Sequence, residues 1–411
     1  MTEKIVFLTI CLLPLYVLRG KIGVIPTTLL EVLVALSTFF WVYDYFRQKV
    51  GLGALLKAFK TPLFLSSVIF LVVSLTSLLF SPDLFAGFGL YRAYILEPWL
   101  LFVISVDVFK GKPERLVQAL IFSALLLSSV ALLQAFTRQP FFEASRHELL
   151  QGRVSGFYNT ANALALYIGP LLSLLLLSLF KTTFWIKKSW AILIIFVFLV
   201  VLSLTNSLGA ILGLALVSVL YSIFFLIRKN STSQKLFFKG VLALVVLICV
   251  LYFTFLASIS HFAPKGGLTY PRPYGSTEIV RVCLWEGARD FLLSHPQGGG
   301  LSGFPNGYEK YRTCDTELFQ YPHNLFLNFW TEVGLLGLLA FLYLIFSFIR
   351  MVMKSAADNL VKLGLLSYLI YLFVHGMVDV PYFKNDLSAQ FWVYLAFGIL
   401  LVKNKEVLTE K

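Results

Sequence analysis

The chain has 411 residues, of which 58% are hydrophobic, 16% aromatic and only 13% charged; soluble domains carry roughly 45–50% apolar and about 25% charged residues. That balance excludes a water-soluble fold, so most of the chain has to dissolve in lipid. A net charge of +13 would suggest a nucleic-acid partner in a soluble protein, but in a membrane protein the Lys and Arg have to be read loop by loop.

Apolar stretches long enough to cross about 30 Å at about 1.5 Å per residue predict helices at 4–18, 27–46, 62–80, 88–109, 115–136 and 160–180. Six more follow at 186–204, 207–227, 239–259, 324–349, 361–378 and 387–402. Met1 to Leu18 contains one lysine and an apolar run of signal-peptide length, yet no small-residue cleavage site follows, so it reads as a retained first helix. Ser81-Pro82-Asp83 reads as an outer turn, and Gly51 to Lys60 as a short amphipathic segment at the inner surface. Without a visible repeat, low-complexity tract or linker, residues 1–411 read as one membrane domain with a loop, 261–322, inserted in it. The fold class is therefore an all-α polytopic membrane protein of about twelve transmembrane helices, with one long extracytoplasmic loop between helices 9 and 10.

Orientation follows from the connections. One alternate set holds Arg47, Lys49, Lys57 and Lys60; Lys110, Lys112 and Arg115; Lys181, Lys187 and Lys188; Arg228, Lys229, Lys235 and Lys239; Arg350, Lys354 and Lys362. With Lys4 and the C-terminal tail that side carries 21 of the 34 basic residues, so both termini are expected in the cytoplasm. The basic excess is an orientation signal and calls for no nucleic acid.

The long loop is far more polar than the rest, and long loops are where function concentrates. Within it, Thr277 to Leu293 has helical spacing, with Arg281, Trp285 and Arg289 at i, i+4 and i+8 on one face. His295-Pro296 and Gly298-Gly299-Gly300 end that helix; the glycines read as a tight turn or as a backbone nest for an anion. Tyr321-Pro322-His323-Asn324 closes the loop, and the next helix carries Glu332-Val333-Gly334-Leu335-Leu336-Gly337. Cys283 and Cys314 fall in the outer loop, where a disulfide would persist. A bridge there would tie the Arg-bearing helix to the segment before His323. Cys11 and Cys249 lie in predicted helices.

These features together resemble the bacterial O-antigen ligase and O-antigen polymerase family, whose hallmark is such a loop followed by His-Asn and a Glu-x-Gly-x-x-Gly helix. RVCLWEGARDFLLSHPQGGGLSGFPNGYEKY is similar to the family's Arg, Trp, His-Pro, Gly-rich and Phe order. GRVSGFYNTANALA at Gly152 to Ala165 and HGMVDVPYFKNDLSAQFW at His375 to Trp392 resemble its approach to the sixth helix and its last outer turn. The resemblance covers roughly the C-terminal 260 residues. It implies a membrane glycosyltransferase of the bacterial plasma membrane that moves a glycan from undecaprenyl diphosphate to an acceptor hydroxyl on a lipid, protein or wall glycan at the outer face.

Such a reaction needs a base for the acceptor and cations for the leaving diphosphate. His323 is the expected general base, since imidazole titrates near neutral pH and the start of a helix favours an adjacent anion. Arg281, Arg289 and Arg153 are the expected diphosphate ligands, with Arg312 and Arg272 in reserve, because guanidinium grips phosphate oxygens in pairs. No divalent-metal cluster is visible and no cofactor is expected; the cations would take the place of Mg2+. The chain departs from its relatives in one place. Where they often carry Ser-Arg-Gly between the seventh and eighth helices, it reads Asn206-Ser207-Leu208-Gly209. Leu208 cannot bind phosphate, so either another arginine substitutes or the donor is held differently.

Supporting residues complete the set. Asn324 follows the base. Glu31, Glu97 and Glu332 lie in predicted spans, where a charge costs about 2.5–3.5 kcal/mol, and should be paired; Arg92 stands five residues before Glu97, which serves in that pair or in acceptor binding. His375 and Asp379, at i and i+4, read as a hydrogen-bonded pair lining the cavity, two ligands being too few for a metal. A polymerase extending the carrier-linked chain is the close alternative to a ligase. A twelve-helix transporter or flippase is the reading from another class; it predicts two similar halves, and the asymmetric loop argues against it.

Overall fold

The computed structural model describes residues 1–47, 61–180, 186–227, 277–314 and 318–403. The predicted helix at 239–259, the amphipathic segment 51–60, Arg272 and the loop residues 261–276 and 315–317 lie outside them. Among the described residues ten helices are long and apolar enough to cross a membrane, and the protein is an all-α polytopic membrane protein with a small hairpin near its N-terminus.

The first predicted span is corrected. Helix α1 covers only Thr2–Cys11, because Pro14 has no N–H to give to Ile10 and its ring crowds that carbonyl. The chain tightens into a 3₁₀ turn at Leu13–Val17 and then forms an antiparallel hairpin of β1 (Arg19–Ile22) and β2 (Ile25–Thr28). Gly23, at φ +61°, opens its two-residue turn.

The spans follow: α2 (Leu29–Arg47), α3 (Pro62–Thr76), α4 (Leu84–Val108), α5 (Glu114–Thr137), α6 (Ala161–Phe180), α7 (Lys188–Thr205) and α8 (Leu208–Ile227). The loop helix α9 (Thr277–Ser294) precedes α10 (Leu325–Lys354), α11 (Asn359–Gly376) and α12 (Asn385–Lys403). Side-chain caps set several starts: Thr61, Asp83, Thr160, Asn324 and Asp358 each accept from a free N–H of the first turn.

Burial sorts the helices into layers. Every residue of α12 from Asn385 to Leu401 is buried, and α6 is buried from Ala161 to Leu175 except at Asn162. Around this pair, α12 packs on α4, α10 on α3, and α11 on α6 and α8. The outer helices expose Phe39, Leu65, Val72, Phe122, Phe196 and Leu336, an apolar collar that only lipid can cover without penalty.

One charged cluster inside the bundle is paired. Helix α4 contains a π-helical turn at Arg92–Leu96, and that wider turn brings residues five apart onto one side. Arg92 accordingly reaches Glu97 at 3.4 Å and Glu31 of α2 at 2.6 Å. Glu31 also accepts from Asn385 at 2.9 Å, so one acid cluster joins α2, α4 and α12.

The described end of the long loop has its own small core of Leu284, Ala288, Phe304 and Tyr308, with Trp285, Phe319 and Leu327 packed on it. It is seated on α10 at a break in that helix. Gly334 leaves helical geometry at φ +75° and ψ 173°, and a Cβ there would stand 2.4 Å from the Gln297 carbonyl. The exchange is reciprocal: Gly299 donates to the Thr331 carbonyl at 2.8 Å. The glycine run thus packs on α10, with the Gly298 N–H given to the His295 carbonyl and the Gly299 N–H to Thr331.

Candidate active site

The loop, β1, α4, α6, α10 and the turn between α11 and α12 enclose a cavity of about 1190 Å³. His323 lines it, from the residue just before the cap of α10. Its backbone is left-handed, φ +48°, a conformation that costs a non-glycine residue on the order of 1–3 kcal/mol and persists only where neighbours hold it. Asn324 supplies that hold. Its side-chain oxygen accepts from Phe326 and Leu327, and its amide donates to the Met377 carbonyl at 3.0 Å. The start of α10 is thereby clamped to the turn that carries Asp379.

Across that clamp His323 Nδ1 lies 3.2 Å from Asp379 Oδ1. A carboxylate only accepts, so in the neutral ring Nδ1 carries the hydrogen and Nε2 keeps its lone pair free. Burial by itself would raise the Asp379 pKa, but the His323 hydrogen bond and the charges of His323, His375 and Arg281 outweigh it and hold the carboxyl below the usual range. Phe319 and Tyr321 stand in T-shaped contact with the imidazole, centroids 5.5 and 5.6 Å away, and burial pushes the Tyr321 phenol up to about 12.

The sequence-based pairing of His375 with Asp379 is corrected. Helix α11 ends at Gly376, so the two are not a helical i, i+4 pair. Buried His375 instead meets Tyr371 Oη at 3.3 Å and Ser207 Oγ at 3.4 Å, behind the cavity wall. Gly209 makes room for it, since a Cβ there would lie 2.2 Å from the imidazole.

Of the expected arginines, Arg281 and Arg153 line the cavity and Arg289 does not. Eight residues along α9 amount to about 12 Å, which carries Arg289 past the cavity to an exposed position beside Asp290, 2.8 Å away. Arg281 has a buried Nε without a hydrogen-bond partner among the described residues. Arg153 is fixed on three sides: Nε donates to the Thr205 carbonyl at 2.8 Å, one terminal nitrogen to Asn162 at 2.9 Å, and the other lies 3.0 Å from Glu148. The Thr205 carbonyl ends α7 three residues before Leu208, so Arg153 brings a guanidinium beside the turn that lacks one. Cys283 and Cys314 are joined in a disulfide with Cα atoms 5.9 Å apart, which ties α9 to the stretch leading to His323.

Two further cations line the cavity, Arg19 of β1 and Lys384 of the turn between α11 and α12. Neither was anticipated from sequence. Lys384 sits 5.6 Å over the Tyr158 ring, and burial lowers its pKa; the phenol of Tyr158 donates to Asp386. The carboxylates are otherwise engaged: Glu148 with Arg153, Asp379 with His323, and Glu332 with the Ser302 N–H at 2.8 Å. Arg19, Arg281 and Lys384 have no carboxylate at ion-pair distance among the described residues, and an excess of cations in a half-enclosed cavity draws anions. Glu97, held by Arg92, is outside the cavity, while Glu332 lines it and pins the loop to α10. Among the described residues no three His, Cys, Asp or Glu side chains gather to hold a metal.

The arrangement can take a proton at His323 Nε2 and hold phosphate oxygens on several cations. Residues 192–342, which include α9, the disulfide, Arg281 and His323, match the family model described as O-Antigen ligase. No curated protein matches the chain significantly. With its apolar helix bundle and this cavity, the chain is a multi-pass membrane protein whose residues 192–342 are similar to the O-antigen ligase family.

Proposed function

We propose that the chain is a metal-independent glycosyltransferase that moves a glycan from undecaprenyl diphosphate to an acceptor hydroxyl at the outer face of the bacterial plasma membrane. His323 Nε2 takes the acceptor proton as the acceptor oxygen bonds to C1 of the carrier-linked sugar. The bond from C1 to the phosphate oxygen breaks, and undecaprenyl diphosphate leaves with the electron pair. Arg281 and Arg153, with Arg19 and Lys384 in the same cavity, stabilise the charge gathering on that diphosphate. Asp379 keeps the proton of His323 on Nδ1 and stabilises the imidazolium that forms. The polyprenyl tail stays in lipid, and both termini lie in the cytoplasm.

The observation that carries this reading is the His323–Asp379 dyad at 3.2 Å in one cavity with Arg281 and Arg153. Arg153 is the arginine that answers for Leu208. The test is His323→Ala in cells lacking the native protein, followed by analysis of surface glycan and of the carrier-linked pool. Loss of surface glycan with long carrier-linked chains accumulating is the result for a ligase; accumulation of single units identifies a polymerase. Unchanged glycan refutes His323 as the base.

A further inference from the structure

We propose that Asn328 is a specificity-determining residue whose side-chain amide hydrogen-bonds a donor–acceptor pair of ring hydroxyls on a sugar held in the cavity. The proposal rests on the glycosyltransferase reading above and deepens it.

Asn328 lies one helical turn beyond Asn324, in the first turns of a span that is otherwise strongly apolar. It is fully buried and lines the cavity. Neither its amide nitrogen nor its amide oxygen has a hydrogen-bond partner among the described residues. Its backbone groups are engaged, the N–H with the Asn324 carbonyl at 2.9 Å and the carbonyl with Thr331 Oγ1 at 3.1 Å. The side chain therefore contributes nothing to the helix ladder.

An unpaired buried amide is expensive, and native proteins keep very few of them. The neighbouring polar groups on α10 show what a structural role looks like here: Asn324 caps the helix and clamps it to the Met377 carbonyl, and Glu332 accepts from Ser302. Asn328 holds one acceptor oxygen and a donor NH2 in a fixed plane. Adjacent sugar hydroxyls, each able to donate and accept, match that pair. A site built to hydrogen-bond a hydroxyl also rejects a sugar lacking it, because the amide is then left unpaired. The sugar can belong to the donor or to the acceptor glycan, and the measurement separates them.

The experiment compares the full-length protein with Asn328→Leu, a substitution of similar size, in nanodiscs. Three quantities are read: the melting temperature, binding of undecaprenyl diphosphate without sugar, and transfer of carrier-linked glycan extracted from cells that lack the protein onto their own membranes. The expected result is an equal or higher melting temperature, unchanged binding of the bare carrier, and a tenfold or greater rise in one KM. A rise for the carrier-linked glycan places the sugar on the donor, and a rise for the membranes places it on the acceptor. Unchanged KM values overturn the proposal. So does a lower melting temperature, which would make Asn328 a structural amide. Failure of the parent protein to bind the bare carrier or to transfer glycan would instead overturn the glycosyltransferase reading, and it is seen before any variant is compared.

Discussion

Replacing Asp379 by asparagine separates orientation from charge in the dyad. Asp379 Oδ1 accepts from the Val380 N–H at 2.8 Å and faces His323 Nδ1 at 3.2 Å. An asparagine oxygen can accept from both, so the shape of the turn and the tilt of the imidazole are retained while the negative charge goes. A hydrogen bond to a charged group contributes about 1.5–3 kcal/mol. The Coulomb term for unit charges about 4 Å apart at an effective dielectric of about 20 is about 4 kcal/mol, an upper bound because the Asp379 side chain keeps 8% of its exposure. At roughly 1.36 kcal/mol per tenfold, kcat is expected to fall between about 10-fold and 1,000-fold. The donor KM should stay within about threefold, since the loss is felt when His323 becomes charged in the transition state. The assay is steady-state transfer of carrier-linked glycan in nanodiscs, with melting temperatures as a fold control. An Asp379→Asn protein within twofold of parental kcat, beside an inactive His323→Ala, would refute the dyad as a working unit.

The two loop arginines should behave differently. Arg281→Lys keeps the charge but loses the forked donors, and at about 1.5–3 kcal/mol for a charge-assisted hydrogen bond the donor KM should rise roughly 10- to 100-fold; parental kinetics would exclude a paired grip on phosphate. Arg289→Ala, remote from the cavity and paired with its neighbour Asp290, should leave transfer within twofold, and a tenfold loss would return Arg289 to the site. Cys314→Ser opens a covalent loop between residues separated by 31 positions, for which chain entropy gives about 3–4 kcal/mol. The melting temperature should fall to that of the reduced parent, and a parent whose melting ignores reductant would show that the bridge carries no stability.

Much of this protein is legible in its residues because lipid imposes a local, one-dimensional rule: a span needs a long apolar run, and ten of the predicted runs are span-length helices among the described residues. The resemblance to the O-antigen ligase family marked His323-Asn324, Arg281 and Arg153, all of which reach the cavity or its clamp. Local reasoning went astray where a helix stopped early. Pro14 cut α1 short and left room for a hairpin that delivers Arg19, and the end of α11 at Gly376 removed Asp379 from the helical register that pairs it with His375. Periodicity likewise set Arg281 and Arg289 on one face, but how far the cavity extends along that face is decided by what packs over it. The dyad itself joins residues 56 positions apart, and Arg153 meets the Thr205 carbonyl across 52. Such partners depend on where helix ends meet in space. Composition and hydropathy determine that a segment enters the membrane; only the packed bundle decides which side chains share a cavity, because that choice rests on contacts between segments that the chain order leaves far apart.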